Sequence, residues 1–326
     1  MRSKVLITGV DGFIGSHLLE YLIEKGYKVY GCDIKKISNL ERISSKIIKN
    51  KNFKYFKTDV SNSVSFRKVL KKAKVSTVYH LAAIVGVQNY ISDPVKVIRF
   101  NILSSLILCD FYKNKKTHII FSSTSEAFGK NPKIPWSENA DRVTGPTNVS
   151  RWSYSSSKNT CEHILYGYHK TYKLPMTIVR FFNVYGPKQN PIYLVSKTID
   201  NLLKNQKPLV YDNGKQTRCM TYIKDIVFAL EKTMKNKKRV IGKSYNLGNT
   251  KELTIGSVVK KICELAGRKN YFRKVSTKKL YKNSYEDIIR RVPNTIAARN
   301  DLNWKIKFKF EKGILETLKY YKLIGK

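Results

Sequence analysis

From Val5 the chain runs through an apolar stretch, Val5-Leu6-Ile7-Thr8, into a glycine-spaced turn, Gly9-Val10-Asp11-Gly12-Phe13-Ile14-Gly15, and then into helical periodicity over Ile14–Lys25 that Gly26 stops. A strand joined so tightly to a helix has few ways to continue. The helix must lie back on the sheet, and the next strand must then run parallel to the first. The pattern repeats. Lys28–Asp33, Phe53–Phe56, Thr77–Leu81, His118–Ser122 and Met176–Phe182 read as strands. Ser63–Lys72, Pro94–Tyr112 and Trp152–Tyr172 read as helices, with Pro94 in a first turn, where its missing N–H costs nothing. The expected class is α/β, a doubly wound parallel sheet with helices on both faces.

After Gly186-Pro187 the pattern changes. Short helices (Ile192–Lys204, Ile223–Met234, Ile255–Ala266 and Lys312–Tyr321) alternate with short strands (Pro208–Tyr211, Tyr245–Leu247). A length of 326 residues allows about two domains. The expected division is a domain over 1–182, with a returning segment near 217–247, and a smaller α/β lobe from 183–216 and 248–326.

Lys+Arg number 63 against 23 Asp+Glu, a net charge of +40. Such a balance invites a nucleic-acid reading. The cations, however, are mostly lysines spread through every element, and their densest runs (Lys68 to Lys74, Lys113 to Lys116, Lys237 to Arg239) fall where helices end, which suits a solvated surface. No nucleic-acid partner is expected. No apolar run approaches the roughly 20 residues needed to span a bilayer, so no membrane insertion is expected either. Met1-Arg2-Ser3-Lys4 leads straight into the first strand, without signal-peptide character. The five cysteines form no CxxC pair and lie mostly in apolar stretches, as reduced thiols of a cytoplasmic protein would. The five histidines show no ligand spacing, so no metal is expected.

The glycine turn carries the first chemistry. Gly9 allows the tight turn, Gly12 lets backbone approach a pyrophosphate, and Gly15 lets the helix pack close to the sheet. The phosphates would meet the amides of Phe13, Ile14 and their neighbours at the helix N-terminus. The sequence therefore predicts a Rossmann-type dinucleotide site. Asp33, ending the second strand, would accept hydrogen bonds from the adenosine ribose and repel a 2′-phosphate, favouring NAD over NADP. Lys35 and Lys36 follow it and argue the other way, but in so Lys-rich a chain they read as surface. Asp59-Val60 follow the third strand as an adenine contact. Leu81-Ala82-Ala83 follow the fourth, small enough to let the cofactor pass.

In Tyr154-Ser155-Ser156-Ser157-Lys158, Tyr154 and Lys158 stand at i and i+4 on one helix face. An ammonium beside a phenol would pull the phenol pKa down from about 10, and Lys158 would also reach the nicotinamide ribose. Ser122-Ser123-Thr124-Ser125-Glu126 ends the preceding strand with hydroxyls aimed at the same reacting oxygen.

With these segments in view, the chain resembles the extended short-chain dehydrogenase/reductases of the nucleotide-sugar epimerase/dehydratase/decarboxylase family over nearly its whole length. The matching motifs are TGVDGFIGSH from Thr8, HLAA at His80–Ala83, SSTSEAFG at Ser122–Gly129, YSSSK at Tyr154–Lys158 and RFFNVYGP at Arg180–Pro187. The resemblance implies NAD as cofactor, Thr124, Tyr154 and Lys158 as catalytic triad, and a nucleotide sugar held by the smaller lobe. It also implies Asn183 and Arg218 at the substrate diphosphate, and a homodimer through a helix bundle containing the Tyr154–Lys158 helix. Ala127-Phe128 replaces the family's Val-Tyr, conservatively in shape.

Within the family the reaction follows from the triad's neighbours. Ser125 and Glu126 supply a hydroxyl and a carboxylate, resembling UDP-glucuronic acid decarboxylases and some 4,6-dehydratases, although dehydratases typically have Asp-Glu after the threonine. Gly145–Tyr154 and Tyr285–Pro293 are similar to decarboxylase segments, the second implying that Arg291 is catalytic and binds substrate. Decarboxylation of UDP-glucuronate or a related sugar through a 4-keto intermediate is the favoured reading. A 4-epimerase and a 4,6-dehydratase remain as alternatives, and a binding protein without turnover is disfavoured by the intact Thr124, Tyr154 and Lys158.

Overall fold

The structure, a computed structural model, describes residues 3–211, 213–275 and 288–324. Tyr285, Glu286 and Asp287 of the Tyr285–Pro293 segment therefore lie outside the described residues.

Seven parallel strands form the central sheet: β1 (Lys4–Thr8), β2 (Lys28–Asp33), β3 (Phe53–Lys57), β4 (Thr77–His80), β5 (His118–Thr124), β6 (Met176–Phe181) and β7 (Lys243–Leu247), in the order β7-β6-β5-β4-β1-β2-β3. The expected α/β class is the observed one. Because both faces are covered, the inner strands are largely buried, and their alternation still sorts apolar side chains between two cores. Val5, Ile7, Val29, Tyr79, Ile120 and Val179 pack on one face, and Leu6, Tyr30, Val78, Ile119, Phe121 and Ile178 on the other. The first core lies under α1 (Phe13–Glu24), and the second under α2 (Ser63–Ala73), α3 (Pro94–Tyr112) and α4 (Ser153–Tyr172).

Local chemistry ends these helices where the spacing says it should. Gly26 closes α1 at φ +76°, with Tyr27 N bonded to Leu22 O at 2.9 Å and Gly26 N to Ile23 O at 2.8 Å, which satisfies carbonyls the helix leaves open. Asn62 caps α2 through Ser65 N, and Asp93 caps α3 through Lys96 N, each at 2.9 Å, with Pro94 at the first helical position.

The strand order reverses between β1 and β4, which pair with each other inside the sheet, and ligands of such sheets bind at the C-terminal ends of strands flanking the reversal. Beyond β6, the helix Leu194–Leu203 and the helix α5 (Ile223–Lys235) precede β7, which begins two residues earlier than the sequence suggests because Lys243 and Ser244 already pair with Thr177 and Ile178. Leu209–Tyr211 pairs with Arg273–Val275, and Thr217–Arg218 with Leu253–Thr254. The strand expected over Pro208–Tyr211 is thus observed, while Arg273–Val275, Thr217–Arg218, Leu253–Thr254 and the helix Ile296–Leu302 are too short to leave a periodic signal. The final helix runs over Phe310–Tyr320.

Candidate active site

At the β1–α1 junction the three glycines interlock. Gly9 takes φ +67°, and a Cβ there would stand 2.9 Å from Ala82 Cα, so the two chains on either side of the reversal touch backbone to backbone. A Cβ on Gly15 would overlap the Gly9 carbonyl. Thr8 Oγ1 ties the two strands together, receiving Ala82 N at 3.1 Å and bonding His80 Nδ1 at 3.0 Å. His80, stacked beside Phe66 and Phe121, is held neutral by burial, its pKa lowered to about 3. α1 starts at Phe13 behind Gly12 without a side-chain cap, leaving its first-turn amides to an anion.

Asp33 stands at the end of β2. Its Oδ2 accepts Asp11 N at 3.1 Å and its Oδ1 accepts Ile34 N at 2.8 Å. Burial pushes its carboxyl pKa up against those bonds. Asp59 is exposed after β3 and uses Oδ1 to hold Ser61 N and Oγ, at 2.8 and 2.6 Å, while Val60 is buried. Leu81, Ala82 and Ala83 follow β4, half-buried. A cradle that Cβ atoms would fill, an uncapped helix start and a carboxylate at the second strand's end together fit a dinucleotide.

At the C-terminal end of β5, which pairs with β4, stands the candidate reacting centre. Thr124 closes β5 and hydrogen-bonds the Tyr154 side chain, while its Oγ1 also accepts Glu126 N at 3.2 Å. Tyr154 and Lys158, one turn apart on α4, are both buried. Tyr90 stacks on Tyr154, ring centroids 5.5 Å apart. Behind them, the buried Asn101 of α3 donates to Ser157 Oγ at 3.1 Å and accepts Ile84 N at 3.2 Å, locking α3, α4 and the loop after β4 together.

The expected lowering of the phenol pKa is corrected in the chain by itself. Burial is the largest influence on Tyr154, followed by the negative charge of Glu126, and both push it well above the ordinary phenol range. Burial likewise lowers Lys158 to about 8, with its ammonium 4.1 Å from the centre of the Phe121 ring. A desolvated site disfavours both charged forms before any ligand arrives.

Glu126 leads into a feature legible in the sequence only in part, since the resemblance implied Arg291 at the site but no role for Arg151. It sits in the single turn Ser125–Phe128, with Ser125 buried beside it. Its Oε2 accepts Arg151 Nη1 at 2.7 Å and its Oε1 accepts Arg291 Nη1 at 3.2 Å. Burial alone would raise its pKa, but the two guanidinium groups outweigh that and hold it below the usual carboxylate range. Arg151 is 1% exposed, and its place three residues before Tyr154 is the one local sign of it in the sequence. Arg291 arrives by backbone pairing: Trp136 N bonds Val292 O and Asn294 N bonds Trp136 O, each at 2.8 Å.

Asn183 and Arg218 lie on neighbouring stretches. Asn183 adopts φ +41°, and its buried Nδ2 has no hydrogen-bond partner, as a group awaiting a ligand would. Arg218 donates to the carbonyls of Thr217 and Ile289, at 2.8 and 3.2 Å, two residues from Arg291. A cavity of about 710 Å³ lined by Glu138, Arg142, Glu162 and Arg180 is a separate feature whose charges answer one another, Arg180 Nη2 standing 2.6 Å from Glu162 Oε2. Among the described residues no group of three or more His, Cys, Asp and Glu is arranged to hold a metal, no helix is long and apolar enough to cross a membrane, and all five cysteines are free and buried.

The doubly wound sheet and the chain's relatives make it an NAD-dependent nucleotide-sugar enzyme of the extended short-chain dehydrogenase/reductase class. Residues 6–317 match the family model described as GDP-mannose 4,6 dehydratase, and the chain belongs to that family. It is 33% identical to a UDP-N-acetyl-alpha-D-glucosaminuronate decarboxylase of Bacillus cytotoxicus over 329 aligned positions, covering 99% of both chains. It is 37% identical to a dTDP-D-glucose 4,6-dehydratase of Dictyostelium discoideum over 81% of this chain and 62% of that one. Among solved structures it resembles a UDP-glucuronic acid 4-epimerase of Bacillus cereus, crystallised with UDP-glucuronic acid and NAD, with a TM-score of 0.85 and 27% identity over 98% of this chain and 99% of that one.

Proposed function

We propose that the protein decarboxylates a nucleotide-linked uronic acid, UDP-glucuronate or a related sugar, through a transient 4-keto intermediate. The observation that carries this reading is the convergence of Arg151 and Arg291 on Glu126 beside Tyr154. Guanidinium groups recognise planar carboxylates bidentately, and a neutral hexose offers only a hydroxyl at its C5 substituent, with no charge for an arginine to answer. The decarboxylase relative supports the same choice.

In this mechanism Tyr154 accepts the proton of the sugar C4 hydroxyl, with Thr124 fixing the phenol oxygen and Lys158 favouring its ionised form. NAD, when bound, supplies the reversible oxidation at C4. A 4-keto group makes the C5 carboxylate a β-keto acid. When carbon dioxide leaves, the electrons of the broken bond pass to the C4 oxygen as an enolate, which is then protonated at C5. Arg291 and Ser125 orient the carboxylate, Glu126 fixes both arginines, and the same groups bring in the proton. Gly9, Gly12, Phe13, Ile14, Gly15, Asp33, Asp59, Val60 and Leu81–Ala83 hold the cofactor, and Asn183 and Arg218 the substrate diphosphate.

On this reading 1–182 with 217–247 form the NAD domain, and 183–216 with 248–326 the sugar-nucleotide lobe. A homodimer through α3 and α4 is supported by the exposed Val95, Ile98 and Tyr172 on those helices, and a reducing cytoplasm by the free buried thiols.

Incubation with UDP-glucuronate, UDP-N-acetylglucosaminuronate, UDP-glucose and dTDP-glucose, with products read by mass, tests the proposal. Loss of carbon dioxide from a uronate is expected. A 4-epimer of unchanged mass, or loss of water from a neutral sugar with the uronates untouched, overturns it.

A further inference from the structure

Lys35 stands two residues past Asp33, where a cation would be expected to welcome a 2′-phosphate. The fold has committed it elsewhere. Its Nζ lies 3.2 Å from Asp11 Oδ2 and 2.9 Å from Glu41 Oε1. Asp11 belongs to the glycine turn itself, is 3% exposed, and also accepts the backbone amides of Arg42 at 2.9 Å and Glu41 at 3.3 Å. Its own amide donates to Asp33. One residue thus joins the ribose-reading carboxylate, the cofactor turn and the segment that follows β2. Arg42, the next cation, is spoken for as well: Nε donates to Lys188 O at 2.8 Å and Nη1 to Asp11 O at 3.4 Å, with Glu41 Oε2 3.7 Å from Nη1. Lys36 is exposed.

We propose that Asp11 and Glu41 form a latch that neutralises Lys35, and that this latch is a second determinant of NAD selection alongside Asp33. Two carboxylates then answer one ammonium next to the Asp33 carboxylate, so a 2′-phosphate brought to Asp33 finds repulsion and no free Lys35 charge to offset it. Partial burial draws the Lys35 pKa down, yet its bonds to Glu41 and Asp11 outweigh that and raise it, as a fully answered charge requires. The inference concerns cofactor choice and holds whichever sugar reaction the enzyme performs.

The test is cofactor recovery rather than turnover. Protein is equilibrated with equal NAD and NADP, separated from free nucleotide and denatured, and the released pair is quantified. Glu41 has a side chain 68% exposed, so Glu41→Gln opens the latch without entering the core. Asp33→Asn removes the direct repulsion and should raise the NADP:NAD ratio. Adding Glu41→Gln to it should raise the ratio a further three- to tenfold or so, the scale of one exposed ion pair redirected to a phosphate. Adding Lys35→Gln to the double variant should cancel that second gain. If Glu41→Gln adds nothing in the Asp33→Asn background, or if its gain survives Lys35→Gln, the latch is not a determinant and the proposal fails.

Discussion

A lysine buried to 2% exposure is an unusual thing for a fold to keep, and at Lys158 its cost can be read directly. Burial brings its pKa from 10.5 to about 8. Because the folded value lies below the unfolded one, the unfolded chain binds more protons between pH 8 and 10.5, and the penalty present at neutral pH fades as pH rises through that window. A shift of that size corresponds to roughly 3 kcal/mol. Lys158→Met should therefore be more stable than the natural protein at pH 7 by up to about that amount, with the difference closing near pH 10.5, while turnover falls by about a hundredfold or more. Urea unfolding at the two pH values checks the first claim, and a variant less stable at pH 7 would contradict it.

At the scale of elements, the junction of β1 and α1 is held by close backbone approach rather than by side chains. Gly9 combines a left-handed φ with a Cβ position 2.9 Å from Ala82 Cα. Gly9→Ala should cost roughly 1–3 kcal/mol in strain and displacement. It should also push β1 away from the loop after β4, so that NAD no longer copurifies. Thermal denaturation together with cofactor content measures both. Retention of NAD by a destabilised variant would separate the turn's structural part from its binding part and refute the combined claim.

For the molecule as a whole, the +40 charge is a field. Carboxylates are too few to answer the lysines, so self-repulsion opposes the compact state and salt should relieve it. Raising sodium chloride from about 20 to about 300 mM should increase the melting temperature by several degrees, read by differential scanning fluorimetry. A flat or falling response would mean that ion pairs such as Lys35 with Glu41 contribute more than the repulsion removes. How far this molecule was legible in its sequence divides by distance along the chain. Val5–Gly26 declared strand, turn and helix, because side-chain periodicity and a glycine's freedom act within a few residues. Helix ends at Pro94 and Gly26 were legible for the same reason. Beyond Phe181 the strand at Leu209–Tyr211 was legible too, but its partner Arg273–Val275 and the pair Thr217–Arg218 with Leu253–Thr254 were not, having too few residues to show a period.

The sequence by itself determined the parallel sheet, the dinucleotide turn, the Tyr154–Lys158 spacing and the carboxylate at Asp33, all encoded in local spacing. Only the tertiary structure decided that Arg151 turns back onto Glu126, that Arg291 crosses 165 positions to join it, and that Lys35 is latched to Asp11 and Glu41. It also decided that Tyr154 is driven up by burial rather than down by its lysine. Charges and desolvation act through space, and a local reading of residue order carries no measure of what packing brings within a few ångströms.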